Sequence, residues 1–201
     1  MKTWLTKRRR RLLGFSLTEV MAVSAIVTSI PTGAYVRAQQ KAYQTKCVHN
    51  LQQIGQMIQM YYYSMGHYPK AAFYPDNPFE SQDSLIRVME QAGQRVPREM
   101  WVCPAAPEQL QKRGLTFIFN DNFAGRKSLP NPSKAWLMIE VNCVSKKVPP
   151  PHPGGYNILF ADGHVITTKS LPRSITSKQR AALNHLFEDS GSGQRLASAA
   201  H

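Results

Sequence analysis

"RRRRLLGFSLTEVMAVSAIVTSI", residues Arg8 to Ile30, sets four arginines against an apolar run that contains one carboxylate, Glu19. From Leu12 to Ile30 the run nearly reaches the about 20 residues that a helix needs to cross a bilayer. The basic block from Lys7 to Arg11 belongs on the cytoplasmic side of such a span. A charged side chain in that setting costs about 2.5–3.5 kcal/mol on insertion scales. A cleavable export signal, with small residues at Pro31–Ala34 or a loose twin-arginine fit at Arg9–Leu13, accounts for the basic block and the apolar run. So does a plain membrane anchor. Neither gives Glu19 a role.

Outward from this segment, the chain has 201 residues, 42% hydrophobic and 18% charged, with fourteen prolines and a net charge of +13. Six of those excess positive charges (Lys2, Lys7 and Arg8 to Arg11) precede Phe15, leaving seven for the rest. They are scattered and not interleaved with aromatic residues, which reads as a solvated surface rather than a nucleic-acid interface. Tyr43, Cys47, Leu51, Ile54, Ile58 and Tyr61 recur at helical spacing, so Gln39 to Tyr63 predicts an amphipathic helix continuing the apolar one. Fifty residues from Phe15 to Ser64 would extend about 75 Å at about 1.5 Å each. Pro31 and Gly33 should kink or interrupt that helix. Gly66 should end it in a left-handed cap, and Pro69 prevents its resumption. Tyr61, Tyr62 and Tyr63 read as packing residues rather than a stacking surface.

Beyond the helix, Ser81 reads as an N-cap for a short helix with Leu85, Val88, Met89 and Ala92 on one face, closed by Gly93. Four β candidates follow: Leu115–Phe119, Ala135–Val141, Tyr156–Phe160 and Val165–Thr168. The last two flank Asp162-Gly163, a hairpin signal. Ser177 caps a final short helix through Phe187, and the small, polar tail of 188–201 predicts disorder. The fold class expected is α+β, a long N-terminal hydrophobic then amphipathic helix carrying a small antiparallel sheet.

Three stretches carry a resemblance. "GFSLTE" (Gly14–Glu19) resembles the type IV prepilin cleavage and methylation motif, in which a basic leader ends in glycine, a phenylalanine follows, and a glutamate stands fifth after the cut. "CVHNLQQIGQMIQMYYYSMGHYP" (Cys47–Pro69) resembles the Cys-x-x-Asn-Leu-x-x-Ile-Gly run and Gly-x-Tyr-Pro turn of type II secretion pseudopilin-like proteins. "HPGGYNILFADGHV" (His152–Val165) resembles the His-x9-Asp-Gly motif of the same families, through His152, Asp162 and Gly163. The region Tyr74 to Gln111 carries no motif. The resemblance implies a pilin-like layout: a basic leader over 1–14, a transmembrane or filament-core helix over 15–36, a stem helix over 37–64, a globular head over 65–187, and the tail. It implies cleavage between Gly14 and Phe15 by a prepilin peptidase, N-methylation of Phe15, and Glu19 pairing with the new amine of a neighbouring subunit. The subunit would sit once through the inner membrane with its head on the periplasmic side. An assembly platform would then draw it into a pseudopilus or pilus filament with other pilin-like subunits.

Beyond the membrane the surroundings are oxidising. Cys47 and Cys103 are then a candidate disulfide with Cys143 left over, and Cys143 is an alternative partner for Cys103. His152 and Asp162 support two readings. In one, Asp162-Gly163 makes the turn and His152 hydrogen-bonds that turn or the loop before it. In the other, they bind a metal with help from His164, Glu140 or Asp121. Calcium is the ion that major pseudopilins hold in a C-terminal loop, but their acidic loop pattern is absent, so no metal and no other cofactor is expected. No nucleophile stands beside a base in a recognisable catalytic pattern, so the chain reads as a structural subunit and not an enzyme. Two rivals remain: a minor pilin whose basic head binds DNA or a surface, and an exported protein with an atypical signal peptide.

Overall fold

The computed structural model describes residues 16–18, 21, 32–95, 97–145, 148–172, 175 and 183. Gly14, Phe15, Glu19, most of the apolar run, Pro31, most of the expected helix from Ser177 to Phe187, and the tail lie outside them. Among the described residues no helix is long and apolar enough to cross a membrane.

The chain divides after Ala38 into two compact units. The described side chains of the first unit, among them Leu17, Met21, Tyr35 and Val36, are exposed. Helix α1 runs Thr32–Met65. Gly33, expected to interrupt the helix, is its second residue. Within the second unit the periodic positions of α1 form one buried stripe: Cys47, Leu51, Ile54 and Ile58 are fully buried and Tyr61 nearly so. The three adjacent tyrosines divide by helical phase, because consecutive residues point about 100° apart. Tyr61 is core, Tyr62 is half-buried and donates its hydroxyl to the Lys127 carbonyl, and Tyr63 is exposed. Gly66, at φ 72, donates its N–H to the Tyr62 carbonyl and closes the helix.

Four strands, β1 (Phe117–Phe119), β2 (Trp136–Glu140), β3 (Tyr156–Phe160) and β4 (Val165–Thr168), form one antiparallel sheet in chain order. Strands β1 to β3 are buried on both faces, while the edge strand β4 is partly exposed. Phe117, Phe119, Leu137, Met138 and Leu159 pack in the cluster that contains the α1 stripe. Ile118, Trp136, Ile139, Tyr156 and Ile158 pack on the opposite side with Ile175 and Leu183. A register shift between Trp136 and Met138 explains why the neighbours Leu137 and Met138 share a face, since a bulge breaks the two-residue alternation. Gly55 lets the sheet approach α1: a β-carbon there would come within 2.9 Å of Leu159 Cδ1.

Helix α2 (Leu85–Gln91) is capped by Ser84, whose hydroxyl accepts the Ile86 N–H, and not by Ser81. Ser81 instead accepts the Asn77 N–H in the preceding turn. Both serines satisfy the composition rule for a cap, and the register is decided by burial of Leu85, Ile86 and Met89. A further short helix, α3 (Glu108–Arg113), lies partly inside the stretch that carried no motif and ends on Gly114 at φ 81.

Gly155 sits at φ 119, and a β-carbon there would lie 2.2 Å from the Thr168 carbonyl oxygen, at the end of the β3–β4 pair. Gly155→Ala is therefore expected to destabilise the fold by about 1–3 kcal/mol, read as a lower urea midpoint with an unchanged slope.

Candidate functional site

On the face of the sheet toward α1, polar side chains are buried together. Glu140 ends β2 and is 1% exposed. Its Oε1 accepts from His152 Nε2 at 2.8 Å and from Asn157 Nδ2 at 3.1 Å, and its Oε2 accepts the Asn157 backbone N–H at 2.9 Å. A carboxylate removed from water is tolerable when donors replace its hydration in this way. Asn157 Oδ1 in turn accepts the Thr167 hydroxyl at 2.6 Å, and Thr167 accepts from Gln44 Nε2 at 3.1 Å. Asn157 and Thr167 are register partners in β3 and β4, which places them on one face. The network thus runs from α1 through β4 and β3 to β2, and ends on His152 in the loop before β3.

Next to it lies a disulfide between Cys47 of α1 and Cys103, with Cα atoms 5.2 Å apart and a sequence separation of 56. Cys143 is a buried thiol elsewhere in the core. The loop bearing Cys103 is held by Thr116, the residue before β1: the Cys103 N–H donates to Thr116 Oγ1 at 2.7 Å, and the Thr116 N–H donates to the Trp101 carbonyl. Asn50, one turn after Cys47, reaches the same loop through the Val102 and Glu99 carbonyls. Cys103 Sγ is 3.5 Å from His152 Nε2. Cys47, Cys103, Glu140 and His152 therefore present four ligand atoms within 4.8 Å of one another, all buried. No protein-family model, curated protein or solved structure matches the chain.

Of the candidate site residues, Cys47, Cys103 and His152 come together, and Glu140 joins them. Asp162 and Gly163 do not. His152 precedes the first residue of β3 and Asp162 follows the last, so a five-residue strand of about 3.3 Å per residue separates them. His152 bonds Glu140 rather than the hairpin turn, and it is linked to the local loop by the backbone bridge to Gly155. At the turn, Gly163 has φ 92, and Asp162 Oδ1 accepts the His164 N–H at 3.2 Å and faces His164 Nδ1. Asn157, Thr167 and Gln44 were not singled out from sequence, because uncharged polar residues in strands and amphipathic helices carry no signal by themselves. Glu140 did carry one: it is the only charge in "AWLMIEV", a strand otherwise built to be buried on both faces.

Burial pulls the Asp162 carboxyl upward, but the hydrogen bonds and charge of His164 outweigh it and hold its pKa below the ordinary 3.8. A depressed folded value means that the stabilisation is present above 3.8 and is lost as pH falls through the folded value. Both side chains are partly exposed, so solvent screening limits the effect to less than about 1 kcal/mol. Asp162→Asn is expected to lower stability by that amount at pH 7 and to leave it unchanged near pH 2, as urea titrations at the two pH values will show.

Proposed function

We propose that the chain is a structural, pilin-like subunit that is trimmed after Gly14, methylated at Phe15, and assembled into a type II secretion-type or type IV pilus-type filament. The observation that carries this reading is the sequence junction itself: a basic block, Gly14-Phe15, a glutamate fifth from the cut, and an apolar run through Ile30. The fold agrees with it in outline. One long helix buries the stripe Cys47, Leu51, Ile54 and Ile58 against a four-stranded antiparallel sheet. Earlier residues of the same helix, among them Tyr35 and Val36, are exposed, as a surface available to neighbouring subunits requires.

In this reading the apolar helix holds the chain in the inner membrane, with the basic leader on the cytoplasmic side until a prepilin peptidase cuts it off. The cut leaves a cationic amine in an apolar setting, where it is as costly as Glu19 is. Each subunit then carries one unpaired charge of each sign, and stacking subunits so that Glu19 of one meets the amine of the next satisfies both. The apolar helix supplies the contact area and the charge pair sets the register.

Mass spectrometry of the mature N-terminus tests the proposal. The expected product begins with N-methyl-Phe15. A product beginning near Tyr35 would identify an exported protein with an atypical signal, and an intact leader in the presence of active peptidase would remove the basis of the filament reading.

A further inference from the structure

We infer that the reduced chain binds one divalent transition-metal ion, zinc by ligand class, through Cys47 Sγ, Cys103 Sγ, His152 Nε2 and a Glu140 carboxylate oxygen, in a state that excludes the disulfide. The inference stands apart from the filament reading, since it uses only the buried cluster between α1 and the sheet.

The ligand count and type come first. Two sulfurs, one imidazole nitrogen and one carboxylate oxygen make a four-coordinate set of the kind zinc accepts, and too few oxygens for calcium. Spacing comes second. Zinc–sulfur and zinc–nitrogen distances of about 2.3 and 2.0–2.1 Å place tetrahedral ligand atoms about 3.3–3.8 Å apart. Cys103 Sγ and His152 Nε2 are already 3.5 Å apart, and all four atoms lie within 4.8 Å of one another. Burial comes third. Cys47 and Cys103 are 0% exposed, Glu140 1% and His152 4%, so the ion would be sealed from water as structural zinc is. Fourth, the outer support exists: Asn157 grips both carboxylate oxygens of Glu140 and is itself held by Thr167, the arrangement that orients metal-binding groups.

The chemistry balances simply. A small dithiol breaks the Sγ–Sγ bond, is itself oxidised to its disulfide, and leaves two thiols on the chain. The metal ion displaces both thiol protons, and the imidazole carries its proton on Nδ1, leaving the Nε2 lone pair for the metal. That tautomer gives up the Nε2–H bond to Glu140 Oε1, and the metal ion takes the place of the proton between those two atoms; Nδ1 has no hydrogen-bond partner among the described residues, so no bond is broken there. The ligands come from α1, the loop before α3, the end of β2 and the loop before β3, so the ion would cross-link the same elements as the disulfide and add two more.

Cobalt(II) is the probe. The full-length chain, reduced with dithiothreitol and freed of it without air, is expected to take up one equivalent, with tetrahedral d–d bands and a thiolate charge-transfer band. Zinc(II) should displace it. The oxidised chain should give neither band. Cys143→Ala should retain the spectrum, whereas His152→Ala and Glu140→Gln should each weaken binding at least tenfold. Circular dichroism shows whether those two variants are folded; if they are not, the reduced and oxidised wild-type chains decide. A reduced wild-type chain with no tetrahedral cobalt spectrum overturns the inference, as does a spectrum that disappears in Cys143→Ala but survives in folded His152→Ala.

Discussion

Glu19→Ala is expected to leave the chain inserted, cleaved after Gly14 and methylated at Phe15, and to abolish filaments. Alanine removes a charge whose burial costs about 2.5–3.5 kcal/mol, so the membrane-inserted monomer is, if anything, more comfortable with it. What it lacks is the partner for the neighbour's amine. An unpaired ammonium in an assembled apolar core carries a penalty of several kcal/mol at every subunit contact, and that penalty repeats along the polymer. Loss of assembly should therefore be near complete rather than graded. Glu19→Asp, with the charge kept but its reach shortened, should assemble poorly rather than not at all. The measurement is paired: mass spectrometry of the mature chain, and negative-stain imaging of sheared or overexpressed filaments. Filaments at the native level from Glu19→Ala would refute the charge-pairing account, while unprocessed chain would mean that Glu19 acts at the peptidase step instead.

Glu140→Ala is expected to destabilise the folded head by about 3–5 kcal/mol. The carboxylate accepts three hydrogen bonds, from His152 Nε2, Asn157 Nδ2 and the Asn157 backbone N–H. Truncation strands all three donors where water does not reach, and each stranded donor costs about 1–3 kcal/mol. It also leaves a void between β2 and α1. For a domain of this size the loss corresponds to a melting temperature lower by about 6–20 °C. Glu140→Gln should lose less, because it preserves the volume and one acceptor oxygen, but its amide must face at least one of the same donors. A double-mutant cycle with Asn157→Ala isolates the side-chain part, since it removes the Nδ2 donor and the bond to Thr167 while leaving the backbone N–H to Glu140 in place. A loss below about 1 kcal/mol for Glu140→Ala would show that the network is hydrated and not the buried core that the exposures describe.

The strands were legible because each obeys local rules. Tyr156–Phe160 and Val165–Thr168 match the expectation at both ends, and the two earlier strands are two residues shorter than expected over Leu115–Phe119 and Ala135–Val141. The α1 stripe was legible for the same reason, since 3.6-residue periodicity is written in the order of the side chains. The cap of α2 was misplaced by three residues because Ser81 and Ser84 are chemically equal, and only burial of Leu85 and Met89 chooses between them. Helix α3 went unread because six residues, "EQLQKR", are too few to show a period.

The sequence by itself determined the class of fold, an amphipathic helix with an antiparallel sheet whose last hairpin turns at Asp162-Gly163, because periodicity and turn chemistry are local properties. Only the tertiary structure decided that Cys47, Cys103, Glu140 and His152 meet, and that Asp162 stands apart from them at the far end of β3. Residues so far apart in the chain are brought within bonding distance by strand register and by the close approach of α1 at Gly55, and neither of these is encoded in any one segment.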